Sequence, residues 1–249
     1  MAVEISLKGK VVLVTGGTRG IGKSIVEKFL EAGANVLATG TNLEKIDNLN
    51  KNNKNSFLRY LQLDLNDLGS VKDFIESMLK SENIHILVNN AGINIVADAI
   101  DINNDEFEKI QRINTYGPYM LAQALGKKMI LNKWGRIINI ASIWSIVSKS
   151  GRLSYSTSKM ALLGITKTLS IEWAKYNVLV NSVSPGFTLT ELTESTNSKH
   201  ELKIIKKKIP QNRMARPDEI ANTVLFLASE LNSYTVGQNI TIDGGYTSI

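Results

Sequence analysis

The stretch "VVLVTGGTRGIGKS", Val11 to Ser24, decides the fold of this chain. Its first four residues form a short apolar run, which is typical of a strand buried on both faces of a sheet. From Gly20 onwards, "GIGKSIVEKFLEA" has the apolar period of a helix. A strand that enters a glycine-rich turn and then a helix points free backbone N–H groups and a positive dipole end at one spot. The stretch therefore predicts a site for a nucleotide phosphate.

Two phosphate-binding motifs fit this stretch equally well. Gly17 to Ser24, "GTRGIGKS", satisfies the P-loop pattern G-x-x-x-x-G-K-S/T. Gly16, Gly20 and Gly22 instead look like the glycine turn of a dinucleotide-binding fold. The first reading predicts ATP chemistry and the second a nicotinamide cofactor, and the stretch alone leaves both open.

Length and composition indicate one soluble α/β domain. The chain has 249 residues, of which 43% are hydrophobic, and no Pro- or Ser-rich linker divides residues 1–249. Because there is no cysteine, a disulfide framework, a thiolate zinc site and a cysteine nucleophile are excluded. His85 and His200 alone give little material for a histidine metal site or a Ser-His-Asp triad, so no metal is expected.

Charge and hydropathy argue against membrane and nucleic-acid partners. The N-terminus lacks the pattern of a signal peptide, and no apolar run reaches the roughly 18 residues of a membrane span. The net charge is +6, but the lysines are mostly scattered at helical spacings, as on a solvated surface. We therefore predict a cytoplasmic protein that binds neither nucleic acid nor membrane.

Strands and helices alternate along the whole chain. Further strands are predicted at residues 35–41, 57–64, 85–92, 135–142, 178–186 and 239–245. Helices are predicted near residues 42–50, 70–80, 105–131, 155–175 and 217–229. This alternation predicts a single doubly wound parallel sheet of about seven strands with helices on both faces, a Rossmann fold. Ligands of such sheets bind outside the carboxyl ends of the strands.

Three residues after the predicted fifth strand suggest a reaction. Ser142 closes that strand, and Tyr155 and Lys159 lie four residues apart, on one face if "YSTSK" opens a helix. A tyrosine of ordinary pKa ~10 is a poor acid at neutral pH, but a close cation is expected to lower its pKa. The phenol could then exchange a proton with a carbonyl or alcohol oxygen, to which Ser142 donates a hydrogen bond. A P-loop enzyme would leave all three without a task.

Ser142, Tyr155 and Lys159 occur together with the glycine turn, "NNAG" and the "PG" after the sixth strand. In this combination the chain resembles the short-chain dehydrogenase/reductase family along nearly its whole length. Within the family the chain looks closest to the 3-oxoacyl-carrier-protein reductase group and to related sugar or alcohol dehydrogenases. The resemblance implies a catalytic tetrad of Asn114, Ser142, Tyr155 and Lys159. It also implies a tetramer, for which the apolar helices 105–131 and 155–175 would supply the faces.

The resemblance also assigns the residues that hold a nicotinamide dinucleotide. Asp64 would lie beside the adenine, and Pro185, Gly186 and Thr188 would hold the nicotinamide carboxamide. The full predicted cofactor set is Gly16, Thr18, Arg19, Gly20, Ile21, Thr41, Asp64, Leu65, Asn90, Ala91, Gly92, Tyr155, Lys159, Pro185, Gly186 and Thr188. Some of these assignments have structural alternatives: Asn114 could accommodate an irregular helical turn, and Asp64 could cap a turn or helix. Asn89, beside the set, is expected to tie strands together.

The end of the second strand indicates which dinucleotide is bound. NAD sites of this fold have an acid about 20 residues beyond the glycine turn. Here the strand ends "ATGTN" without one, and Glu44 is expected in the next helix. Arg19 could pair with a 2′-phosphate, and Thr41 and Asn42 could donate hydrogen bonds to it. The sequence therefore favours NADP(H) over NAD(H).

The predicted reaction is reduction of a ketone to a secondary alcohol, with a 3-oxoacyl thioester as the substrate. The alternative is a sugar, sugar nucleotide or other hydroxy compound, since Trp144 could stack on a ring and Lys149 or Arg152 could hold an anion. A regulator without turnover would be expected to have damaged catalytic positions, yet all four residues are present.

Two segments bear on what the substrate is and how it arrives. Residues Thr188 to Gln211 are predicted to form a helical lid over the substrate. Lys127, Lys128, Lys133 and Arg136 form a basic patch where an acidic carrier protein could dock, or they are simply charges at a helix end.

Overall fold

The computed structural model describes residues 4–191, 193 and 198–248. Its strands form one sheet in the order β3-β2-β1-β4-β5-β6-β7, and every neighbouring pair is parallel. The strands are β1 Val11–Val14, β2 Asn35–Gly40, β3 Leu58–Gln62, β4 Ile86–Asn89, β5 Gly135–Ile140, β6 Val178–Pro185 and β7 Asn239–Ile242. The predicted doubly wound parallel sheet is confirmed.

Helices cover both faces of this sheet. They are α1 Gly20–Glu31, α2 Leu43–Asn52, α3 Leu68–Ser81, α4 Asn104–Gln111, α5 Gly117–Leu131, α6 Leu153–Trp173, α7 Lys199–Lys208 and α8 Pro217–Ala228. None of the described helices is long and apolar enough to cross a membrane. Of the predicted lid, Leu192 and residues 194–197 lie outside the described residues.

Alternation along the strands divides the core into two layers. Val12 and Val14 of β1 pack with Phe29 of α1 and Val224 of α8 on one face. Leu13, between them, packs with α3 and α5 on the other face. Because each strand gives apolar side chains to both layers, β1 reads as an unbroken apolar run.

The predicted helix 105–131 is interrupted. A π-helical turn, Arg112–Tyr116, joins α4 to α5 and places Asn114 at its centre. Such turns insert one extra residue into a helix and re-aim its side chains, and they occur often at functional sites. The apolar periodicity did not reveal this insertion.

The order of the strands fixes where a ligand can bind. The chain runs outward from β1 through β2 to β3, then returns to place β4 on the other side of β1. The loops after β1 and β4 therefore leave in opposite directions and open a crevice at the carboxyl edge of the sheet. The glycine turn and the "NNAG" segment follow these two strands.

Candidate active site

The glycine turn after β1 has a backbone that other residues would not adopt. Gly16 and Gly20 have φ of +65° and +54°, in the left-handed region. A Cβ on Gly22 would lie 2.2 Å from the carbonyl oxygen of Gly16. Arg19, the N-cap of α1, gives the helix no side-chain cap, so the first N–H groups keep their capacity to bind an anion.

The segment after β4 braces this turn from the side. The Asn90 Nδ2 donates to the carbonyl oxygens of Thr15 and Gly16, at 3.0 and 3.1 Å. The Thr15 Oγ1 in turn accepts from the backbone N–H groups of Asn90 and Ala91, both at 3.0 Å. Asn89 instead ties β4 to β5, since its Nδ2 donates to the Asn139 Oδ1 at 2.8 Å. The strand-tying interpretation of Asn89 is confirmed.

A cavity of about 520 Å³ runs along the carboxyl edge of the sheet from the glycine turn to α6. The structure brings every residue of the predicted cofactor set onto its wall. Ser142 lines it too, together with Ile93, Asn94, Trp144, Arg152 and Phe187. The predicted site residues therefore share one cavity, and only Asn114 of the tetrad lies behind its wall.

Asp64 lines the cavity and also shapes a turn. Its Oδ1 accepts from the backbone N–H of Asn66 at 2.9 Å. The N-cap of α3 is Asp67, whose Oδ1 accepts from the N–H groups of Gly69 and Ser70. Of the structural alternatives for Asp64, the turn is confirmed and the helix cap is wrong.

Ser142, Tyr155 and Lys159 meet where β5 ends. Ser142 begins a short 3-10 turn and accepts from the Trp144 N–H at 3.2 Å. Tyr155 lies in the first turn of α6, and Lys159 follows one turn later. The Lys159 Nζ donates to the Ile140 carbonyl oxygen at 2.7 Å and lies 5.7 Å from the centroid of the Tyr155 ring. A hydroxyl, a phenol and an ammonium therefore face the same part of the cavity.

The pKa values of this cluster differ from expectation. Burial raises the pKa of Tyr155, although a hydrogen bond to Ser142 and the charge of Arg152 act in the opposite direction. Burial also lowers the pKa of Lys159 to about 8. The prediction that the lysine would bring the tyrosine pKa below its ordinary value is wrong in this structure, because desolvation of the phenolate outweighs nearby positive charge.

Asn114 links the loop after β4 to α6. Its side chain is fully buried and exchanges two hydrogen bonds of 2.9 Å with the backbone of Ile93. Its Nδ2 also donates to the Ser158 Oγ at 3.0 Å. A Cβ on Gly92 would lie 3.3 Å from the Asn114 Oδ1 and 3.4 Å from the Lys159 Nζ. Because Gly92 has no side chain, Asn114 and Lys159 can both lie next to it. The irregular-turn interpretation of Asn114 is also confirmed, since Asn114 lies in the π-helical turn.

Lys23 rules out the P-loop reading. A P-loop lysine must reach the phosphates of the nucleotide. The Lys23 side chain is 60% exposed and pairs along the helix with Glu27, at 3.7 Å. It is a solvated helix residue, as the alternative reading expected.

A second, smaller cavity of about 220 Å³ adjoins the glycine turn. It is lined by Thr18, Arg19, Gly40, Thr41, Asn42, Lys45 and Ile46. The Arg19 Nη1 lies 3.5 Å from the Glu191 Oε2, and both side chains are exposed. Glu44 lies in the first turn of α2, as predicted. Lys45 also lines this cavity, near the start of α2 at Leu43, and no motif in the sequence indicated it.

The wall beyond Tyr155 is aromatic. Trp144 packs edge-to-face against Phe187 and Tyr246, with ring centroids 6.0 and 6.4 Å apart. Trp144 is only 7% exposed. Tyr246, which follows β7, gave no signal in the sequence because only the fold brings it to Trp144.

Two of the four residues of the predicted basic patch are not free surface cations. Arg136 is 1% exposed, and its guanidinium donates to the carbonyl oxygens of Gly135, Asn177 and Asn232. Lys128 donates to carbonyl oxygens at the end of α3. Lys128 lies in the last turn of α5, as the helix-end alternative expected, whereas Arg136 lies in β5; Lys127 and Lys133 are exposed. The patch also lies at the amino end of β5, whereas Ser142 follows its carboxyl end.

Comparison with known proteins places the chain in a family. A family model described as enoyl-(acyl carrier protein) reductase matches residues 16–247. The 3-oxoacyl-acyl-carrier-protein reductase of Aquifex aeolicus is 40% identical over 247 residues, covering 98% of this chain and 99% of the relative.

Solved structures agree. A gluconate 5-dehydrogenase from Burkholderia cenocepacia, in complex with NADP and tartrate, has a TM-score of 0.90 at 30% identity, covering 98% of this chain and 97% of the other. A short chain dehydrogenase/reductase family protein has a TM-score of 0.89 at 35% identity, covering 98% and 100%. With this fold and these relatives along almost its whole length, the chain belongs to the short-chain dehydrogenase/reductase family of oxidoreductases.

Proposed function

We propose that this protein uses NADP(H) to interconvert a ketone and a secondary alcohol. The observation that carries the proposal is one cavity that is lined by the glycine turn at one end and by Ser142, Tyr155 and Lys159 at the other. The first group of residues suits a dinucleotide, and the second suits proton transfer at a carbonyl oxygen.

The donors around the glycine turn fit a dinucleotide. The uncapped N-terminus of α1 offers N–H groups to a diphosphate, and side chains at Gly16, Gly20 and Gly22 would strain or fill the turn. Pro185, Gly186 and Thr188 line the cavity on the nicotinamide side in this assignment. When bound, the dinucleotide supplies or accepts the hydride.

Tyr155 is the group that moves the proton. In the reducing direction it gives its phenolic proton to the ketone oxygen, while Ser142 donates a hydrogen bond to the same oxygen. Because burial raises its pKa, Tyr155 carries that proton at neutral pH. The Lys159 ammonium stabilises the phenolate that remains, and Asn114 positions the loop and helix on either side.

The cavity beside the glycine turn supports NADP(H) over NAD(H). Arg19 and Lys45 both line it, together with the hydroxyl groups of Thr18 and Thr41. Two cations with hydroxyl donors suit a phosphate on the adenosine ribose, whereas a 2′-hydroxyl would call for an acid. Arg19, which pairs with Glu191, would exchange that carboxylate for the phosphate.

Arg19→Ala combined with Lys45→Ala should raise the Kd for NADPH about tenfold or more and leave the Kd for NADH within about twofold. The magnitude follows from charge-assisted hydrogen bonds at a partly exposed site. Fluorescence titration of both nucleotides measures it. Lys51→Ala, at the far end of α2, is the matched control. Equal affinities of the wild-type protein for NADPH and NADH would contradict the assignment.

We propose a 3-oxoacyl thioester as the ketone, because the Aquifex aeolicus relative of that name aligns end to end with this chain. A second candidate is a hydroxy acid or sugar acid. It is favoured by the cation Arg152 on the cavity wall and by the similarity to a structure named gluconate 5-dehydrogenase.

NADPH oxidation with 3-oxoacyl carrier protein, with its free thioester mimic and with keto-sugars tests this assignment. We expect turnover of both thioesters. Turnover of the sugars alone, with loss of that activity in Trp144→Ala, would contradict the acyl substrate and leave the ketoreductase chemistry standing.

We also propose a cytoplasmic homotetramer. Large apolar side chains are exposed on the two long helices that the resemblance implicates: Leu131 on α5 and Leu153, Met160 and Ile171 on α6. Leu131 and Ile171 are each 80% exposed, which is costly in a monomer. Light scattering at micromolar concentration should give about four times the chain mass of 27.4 kDa. A monomeric mass would contradict the assembly.

A further inference from the structure

One buried cation in the cavity has no hydrogen-bond acceptor among the residues that the structure describes. Arg152 is 7% exposed and lines the cavity between Trp144 and Tyr155. Its Nε is shielded from solvent and has no hydrogen-bond partner among the residues that the structure describes. A buried guanidinium without acceptors is unfavourable for folding unless something else provides them.

Arg136 shows how this chain satisfies a guanidinium that has only a structural role. Its Nε, like that of Arg152, has no hydrogen-bond partner among the described residues, but its two terminal nitrogens reach three backbone carbonyl oxygens and Glu230 lies 3.9 Å away. The terminal nitrogens of Arg152 have no such acceptors among the described residues, and its guanidinium carbon lies over the face of Trp144, 5.9 Å from the ring centroid. An aromatic face attracts the charge but accepts none of its in-plane N–H groups. None of the described residues accepts a hydrogen bond from Arg152, which leaves its N–H groups available to a ligand in the cavity.

Arg152 is positioned to act on the substrate. It is the N-cap of α6, three residues before Tyr155, so both side chains leave the first turn of the helix on the same side. Its charge acts on Tyr155, whose pKa it lowers against the larger effect of burial. A substrate whose ketone oxygen meets Tyr155 thus places its neighbouring substituents near Arg152.

Two further features indicate a polar, anionic substrate. The Lys149 ammonium also lies near Trp144, 5.8 Å from the ring centroid. It adds positive charge close to this end of the cavity. Asn94, on the cavity wall, holds a buried Oδ1 with no partner among the described residues. That oxygen could accept from a substrate hydroxyl.

We propose that Arg152 forms a carboxylate-binding subsite, which gives this enzyme a further activity on ketones and alcohols that carry a free carboxylate. The planar fork of Arg152 matches the two oxygens of a carboxylate. In the reduction, the ketone carbon gains a hydride from NADPH and its oxygen gains a proton from Tyr155, yielding the hydroxy acid and NADP⁺. The carboxylate is held by Arg152 and keeps its charge throughout. The subsite rests on the ketoreductase chemistry proposed above.

Matched acid and ester substrates test the subsite. Wild-type enzyme should reduce 3-oxobutanoate and 5-oxohexanoate with kcat/KM at least equal to that of their methyl esters. Arg152→Gln should lower kcat/KM for the acids about 100-fold, mostly through KM, and leave that of the esters within about threefold. Lys206→Gln, an exposed charge on α7, controls for general electrostatic attraction and should spare both. Wild-type preference for the esters, or an equal loss of acid and ester activity in Arg152→Gln, would overturn the subsite.

A binding measurement separates this inference from the proposed function. NMR titration of 3-oxobutanoate into the protein with NADP⁺ requires no turnover, so it decides the subsite even if no ketone is reduced. We expect the Kd to rise at least tenfold in Arg152→Gln and less in Arg152→Lys, which keeps the charge. Equal affinity in wild type and Arg152→Gln, or no binding by wild type, overturns the proposal. Absence of all turnover with intact acid binding would instead contradict the ketoreductase function.

Discussion

Tyr155→Phe should lower kcat by about a thousandfold or more and leave the Kd for NADPH within about twofold. The ring stays in place, and only the group that gives its proton to the substrate oxygen is lost, a contribution of about 10²- to 10⁴-fold in general acid catalysis. Fluorescence titration and steady-state NADPH oxidation measure the two quantities. Tyr60→Phe, the same chemical change on β3 away from the cavity, should leave both unchanged.

The comparison with Ser142→Ala sharpens this test. In the proposed mechanism Ser142 donates a hydrogen bond to the same substrate oxygen and moves no proton, so its loss should cost less than that of the proton donor. If Tyr155→Phe retained more than about a tenth of wild-type kcat, against the thousandfold expected of a lost acid, another group would have to move the proton. In that case the convergence of Ser142, Tyr155 and Lys159 would be structural.

The fold was predictable because its strongest signals are local. The run Val11–Val14 is buried on both faces, the glycine turn needs the positive φ that Gly16 and Gly20 have, and the helix of Gly20–Glu31 follows at once. Repetition of this unit leaves few topologies open. The apolar periodicity did not show the extra residue of the π-helical turn Arg112–Tyr116, and an irregular turn at Asn114 was only an alternative to its catalytic assignment.

The candidate site was predictable as a list of residues and less so as chemistry. The carboxyl ends of parallel strands share one edge of the sheet, so Gly16 and Ser142 were expected to line one site, as they do. Environments are set by tertiary packing, which the sequence does not display. Arg136 looked like a surface cation and is buried, and the pKa of Tyr155 is raised where the Tyr/Lys spacing suggested the opposite. Lys45 lines the smaller cavity because of how α2 is oriented after β2, and the sequence does not show that orientation.

Lys159→Met should abolish turnover without unfolding the protein. The ammonium lies 5.7 Å from the centroid of the Tyr155 ring and is expected to stabilise the phenolate that the reaction leaves there, so we expect kcat to fall about a thousandfold. We also expect the Kd for NADPH to rise about tenfold, since Lys159 lines the cavity next to Gly92. Lys167→Met, a lysine two turns further along α6, is the matched control. Retained NADPH affinity would remove the binding role and leave the catalytic one.

Stability against pH separates a lost charge from a damaged fold. The pKa of Lys159 falls from its ordinary 10.5 to about 8 because of burial, so its charge costs the folded protein about 3 kcal/mol at pH 7. Methionine removes that cost and gives up one hydrogen bond to Ile140, worth about 1 kcal/mol. Lys159→Met should therefore be at least as stable as wild type at pH 7.

The sign of the pH effect follows from proton uptake. Between pH 8 and pH 10.5 the unfolded chain holds the Lys159 proton and the folded chain does not, so wild-type stability rises with pH. Relative to Lys159→Met, wild type should gain about 2 kcal/mol between pH 7 and pH 10, measured by urea unfolding. Every other titrating group is common to both proteins and cancels. A constant difference across this range would mean that Lys159 is not desolvated, and the inactivity of the variant would then need a cause other than the loss of a buried ammonium.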